Sequence, residues 1–113
     1  VGDLQGILEV LLADYEEVGE ASINMLRIEE EHPVAKKMLE TARSYHRQWC
    51  ARVFAPYLPS PGEQPYEQRL LSFMAATEFY LWKLLRKDLG RSRAETHAVF
   101  TTNLQALIDS FTK

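Results

Sequence analysis

The sequence predicts an all-α domain of about five helices. Apolar residues recur at three- and four-residue spacing along nearly the whole chain, no segment alternates with period two, and the pattern breaks at Gly and Pro. The 113 residues fit one domain, 1–113, with a real but modest core. Its 46% hydrophobic and 26% charged residues are ordinary for a globular protein. A net charge of −3 offers no electrostatic grip on nucleic acid. The lone Cys50 excludes an internal disulfide and suits a reducing cytoplasm. No apolar run approaches the ~20 residues that span a bilayer, so no membrane partner is expected. No signal peptide opens the chain. The start at Val1 without Met suggests a fragment or a processed chain.

The elements follow from the N-terminus. Asp3 reads as an N-cap, and Leu4, Ile7, Leu8, Leu11, Leu12, Tyr15 and Val18 trace one helical face, with Gly19 as the stop. A second, shorter helix is expected over Glu20–Glu31, with Ile23, Met25, Leu26 and Ile28 as its apolar side. Glu29, Glu30 and Glu31 at its end face Lys36 and Lys37 across the His32-Pro33 corner, and the two sets are expected to neutralise each other. Pro33 suits the first turn of a third helix running to about Ala55. The loop 56–65, PYLPSPGEQP, turns the chain back.

Arg69–Gly90 then reads as one long helix on which the others are organised. Ser72, Lys83, Arg86 and Lys87 share a narrow polar side; the remaining apolar arc is too wide for an ordinary surface helix. A second subunit, a ligand, or both are expected to cover it. Ser92-Arg93-Ala94-Glu95 matches a capping box that starts the last helix.

No Gly-rich phosphate loop, nucleophile elbow or C-x-x-C is present, so no catalytic residue is assigned and the chain is not read as an enzyme. Glu29 and His32 have the E-x-x-H spacing of di-iron bundles but no second copy, and the three histidines sit on different helices; no metal ligand and no cofactor is assigned. His46, Glu78 and His97 lie on apolar faces. Each histidine is either a hydrogen-bonded core residue or a polar anchor in a pocket. A lone buried carboxylate is costly, so Glu78 is expected to be paired, protonated or facing a wet cavity.

Three stretches, ADYEEVGE (13–20), ARSYHRQWCARVFAPYLP (42–59) and ATEFYLWKLLRKDLGRSRAET (76–96), carry a resemblance. Together they resemble the C-terminal regulatory domain of TetR-family transcriptional regulators. The first is similar to the family's Tyr-Glu-x-x-Gly helix ending. The second resembles a subgroup pattern Gly-Arg-x-x-His-x-x-Trp followed by Phe-Ala-Pro, with Ala42 in place of the glycine. The third is similar to the subgroup's Trp-Lys-Leu-Leu-Arg-x-Asp-Leu-Gly. The resemblance implies a cytoplasmic repressor domain that forms a homodimer through its last two helices, as a four-helix bundle. It also implies a small-molecule effector pocket, with DNA read only by an N-terminal helix-turn-helix that these residues do not contain.

The expected ligand-binding residues are Tyr15, Met25, Tyr45, His46, Trp49, Phe73, Met74, Thr77 and Glu78, suited to a mostly apolar or aromatic molecule. Those expected at the dimer interface are Phe73, Tyr80, Leu84, Phe100, Leu104, Leu107 and Phe111, in an interface burying upward of about 2,000 Å². The alternatives are a helical dimerisation module without a ligand, or a small all-α metal-binding protein or enzyme.

Overall fold

The computed structural model describes residues 3–112. The fold is all-α: α1 (Leu4–Ile28), α2 (Pro33–Val53), a 3₁₀ turn (Ala55–Tyr57), α3 (Gln64–Ala76), α4 (Phe79–Lys83, continued by a π-helical turn, Leu84–Asp88) and α5 (Arg93–Phe111). No strand occurs among the described residues, and no helix is long and apolar enough to cross a membrane. The shortest extent of the molecule is 19 Å, about two helix diameters. Most helices therefore keep one side open.

The helix count agrees with the sequence, but through two compensating differences. Gly19 does not end a helix; α1 runs straight through it to Ile28. Only Gly62 and Gly90 have positive φ among the described residues. Gly19 is instead a packing site, wholly covered by the Trp82 ring. With no proline behind it and the three-four pattern resumed at Ser22 and Ile23, the helix has no reason to stop. Asp3 holds the N-cap position, although its side chain makes no capping bond.

The second difference is that Arg69–Gly90 is two helices, not one. The break falls at Thr77 and Glu78, where no glycine or proline marks it. Thr77 is completely buried. Its hydroxyl donates back to the Phe73 carbonyl at 2.8 Å, and its own carbonyl, released from the helix, accepts the Tyr15 hydroxyl at 2.7 Å. Glu78 is extended (φ −67°, ψ 144°) and opens α4. Tertiary partners thus supply the hydrogen bond that the broken ladder lost.

Further along, the π turn lets Lys83 reach Asp88, five residues on, at 3.0 and 3.1 Å. It ends at Gly90 (φ +63°), a left-handed position that favours glycine. Ser92 then caps α5 by accepting the Glu95 N–H at 3.0 Å, one of the two bonds of a capping box.

Leu8, Leu12, Phe54, Leu70, Phe73, Trp82, Phe100 and Leu104 build the core. Phe54 and Phe73 stack with ring centroids 4.2 Å apart. These contacts correct the sequence expectation for the dimer face. Phe73, Phe100 and Leu104 are 0% exposed within the chain; the buried stripe of α5 is consumed by α1 and α3, so these three have no surface to offer a partner. Leu107 and Phe111 are half-buried against the same core, whereas Tyr80 and Leu84 are exposed. The charge run at the α1–α2 corner also differs. Glu29 reaches past Lys36 and Lys37 to Arg43 at 2.7 and 3.1 Å, about two turns further along α2.

Candidate functional site

A cleft of about 680 Å³ opens between α1, α2 and the start of α4. The α1 wall is one helical stripe, Leu11, Tyr15, Val18, Ser22 and Leu26, with Val10 and Asp14 at its edge. Its steps of three and four residues run through Gly19 unbroken. The α2 wall carries Met38, Leu39, Ala42, Tyr45, His46 and Trp49, with Thr41 and Arg43 beside them. Glu78, Phe79 and Tyr80 close the end, placed there by the break before α4.

Of the residues expected to bind a ligand, the fold brings Tyr15, Tyr45, His46, Trp49 and Glu78 to this cleft. Four lie elsewhere. Met25 is displaced by Leu26: once α1 is continuous, the facing stripe passes through Val18, Ser22 and Leu26, and Met25 sits about 100° away around the helix. Phe73 is in the core, and Met74 packs against that core. Thr77 lies beneath the cleft floor, buried under His46. The residues not anticipated, chiefly Val18, Ser22, Leu26, Phe79 and Tyr80, share a cause. The α1 stripe was legible from period alone had the helix been carried through Gly19, while the α4 residues depend on a break with no sequence signal.

The floor is a hydrogen-bond relay. The single Thr77 hydroxyl proton goes to the Phe73 carbonyl. The same oxygen therefore accepts from His46 Nε2–H at 2.8 Å and lies 3.4 Å from the Cys50 sulfur. The other ring nitrogen, Nδ1, faces Glu78 Oε2 at 3.4 Å. An imidazole with an acceptor at each nitrogen suits the doubly protonated ring. Burial opposes that charge, but the Cys50 sulfur and the Glu78 carboxylate outweigh it, and the pKa rises from 6.5 to about 9. Among the outcomes open to Glu78 from sequence, the geometry gives a pair with His46 at the edge of the cleft. Burial, then the neighbouring Glu78, pushes the Tyr15 phenol above its ordinary range, so it stays a neutral donor to Thr77. Trp49 stacks beside His46 with centroids 6.2 Å apart.

At the outer end Arg43 ties three elements, bonding Glu29 on both nitrogens and the Tyr80 hydroxyl at 3.3 Å. Behind the cleft, Glu16 accepts the Trp82 indole N–H at 2.8 Å and Arg86 at 2.6 and 2.9 Å. The Arg86 hydrogen bonds hold the Glu16 carboxyl down at about 2. This cluster fixes α4 against α1.

His97 stands apart from the cleft, lining a small recess between α1 and α5 with Glu9, Glu16 and Arg93. His32 is exposed at the start of α2. The three histidines do not converge, and no group of three or more His, Cys, Asp or Glu able to hold a metal ion occurs among the described residues. In comparisons with known proteins, no family model, curated protein or solved structure matches this chain.

Proposed function

We propose that this chain is the effector-binding and dimerisation domain of a TetR-like transcriptional repressor. The observation that carries the reading is the cleft. Its 680 Å³ lies within the ~300–1,000 Å³ of small-molecule sites, and aromatic walls over a few convergent polar groups are what such sites present. The three stretches that resemble TetR regulatory domains supply its Tyr15, His46, Trp49, Glu78 and Tyr80.

The mechanism is a population shift. A ligand beside Glu78 touches the residue that opens α4, so it biases the angle between α3 and α4. In a homodimer that angle would set the spacing of two N-terminal reading heads and hence their match to two half-sites. The exposed apolar residues Tyr80 and Leu84 on α4 and Leu71 on α3 are available to a second copy. A cytoplasmic setting goes with this reading, and these 113 residues alone, at net charge −3, are expected to leave operator DNA unbound.

The test uses Trp49 in the cleft wall. A bound aromatic ligand changes the tryptophan fluorescence, and Trp49→Phe removes most of that change while Trp82, buried behind Gly19, contributes little. Light scattering at micromolar concentration gives twice the 13.0 kDa chain mass. A panel of aromatic ligands with no saturable response refutes the effector site; a 13.0 kDa species refutes the dimer.

A further inference from the structure

We infer that the cleft selects a flat aromatic cation, because its cationic groups are paired inside the protein while its carboxylates are not fully engaged. The inference rests on the reading of the cleft as an effector site and names the chemistry of the effector.

The cationic groups and the buried Tyr15 come first. His46 directs one ring nitrogen to Thr77 at 2.8 Å and the other to Glu78 at 3.4 Å. Tyr15 gives its only hydroxyl proton to the Thr77 carbonyl. Arg43 is the one full-time cation in the lining, and its terminal nitrogens serve Glu29 and Tyr80. A carboxylate or phosphate ligand would have to draw His46 from Glu78 or share Arg43 with Glu29 to gain a charged partner; the neutral donors of the lining, Ser22, Tyr45, Trp49 and Tyr80, make weaker bonds.

The acceptors are in the opposite position. Glu78 meets His46 through Oε2 alone, and its side chain is 32% exposed at the cleft. Asp14 lies at the mouth, exposed, and takes part in no ion pair among the described residues. His46 offsets Glu78 and Glu29 offsets Arg43, which leaves Asp14 uncompensated and Glu78 half-engaged. Around them stand the rings of Tyr15, Tyr45, Trp49, Phe79 and Tyr80. Ring faces attract cations and repel anions through their quadrupole, and the attraction grows as water leaves. Carboxylates and rings therefore favour the same ligand charge, and the walls favour a planar apolar body.

The test compares three tricyclic probes of near-equal shape by equilibrium dialysis at neutral pH: N-methylacridinium (cation), N-methylacridone (neutral and non-basic) and anthracene-9-carboxylate (anion). The cation is expected to bind about tenfold tighter than the neutral probe, with the anion weakest. Glu78→Gln should reduce the cation-to-neutral ratio several-fold. Asp14→Asn, at an exposed position that cannot disturb the core, should reduce it by a smaller factor and covers the case in which Glu78→Gln fails to fold. Equal binding of cation and neutral probe, tighter binding of the anion, or a preference unmoved by a folded Glu78→Gln and by Asp14→Asn overturns the charge selection and leaves the effector site standing. Binding of none of the three refutes the effector site itself and the selection with it.

Discussion

Gly19→Ala is a sharp test of how α1 and α4 are joined. A Cβ built on Gly19 lies 2.7 Å from Trp82 Cζ3 and closer still to Cη2, whereas carbon atoms pack at about 3.5–4.0 Å. The indole must retreat by roughly an ångström or more, yet it cannot do so freely. Trp82 is 2% exposed, and its N–H is fastened to Glu16, itself clamped by Arg86. In an unencumbered helix the same substitution would stabilise by about 1 kcal/mol through helix propensity. Here overpacking costs about 1–3 kcal/mol. Losing a hydrogen bond to a charged acceptor adds about 1.5–3 kcal/mol if the ring is pushed off Glu16. The net expectation is a destabilisation of about 2–3 kcal/mol, read as a lower urea midpoint at unchanged slope and a melting temperature lower by roughly 10 °C. A melting temperature equal to or above that of the parent chain would refute the seating of Trp82 on Gly19.

Three further outcomes are expected. His46 has its pKa raised, so the stability it contributes is fully present below 6.5 and is lost as pH rises through about 9; the fall in melting temperature over that window should be smaller in His46→Gln, and an identical fall in both would remove His46 from the account. Glu16 has its pKa lowered, so its contribution is present above 4.5 and is lost as pH falls toward about 2. Acid unfolding of Glu16→Gln should accordingly be shallower over that interval, and Arg86→Ala should resemble it. Ser92→Ala removes the α5 cap and should cost about 1 kcal/mol in chemical denaturation; no change would mean the cap is idle.

The sequence by itself determined the all-α class, the span of α2, a proline-rich turn-back whose ends nevertheless fold as a 3₁₀ turn and as the first residues of α3, and the start of α5. Each rests on local chemistry: the three-four apolar period, Pro33 in a first turn, the prolines of 56–65, and the Ser92–Glu95 box. It also brought His46, Trp49, Tyr15 and Glu78 forward as chemically out of place or unusually aromatic, and the fold gathers those four at one cleft. Only the tertiary structure decided what happens at Gly19 and at Thr77. Glycine has the same local preferences whether it ends a helix or admits a ring, and the deciding atom belongs to Trp82, 63 residues away. Thr77 carries no breaking signal; the break is held by Tyr15, His46 and Cys50, which arrive from two other helices. The same dependence explains the dimer-face residues. An apolar stripe such as Phe100 and Leu104 states that a face will be buried, but not whether its own chain or a second copy will bury it. That choice is made by which elements pack together, because burial free energy depends on the area removed from water and not on the identity of what covers it.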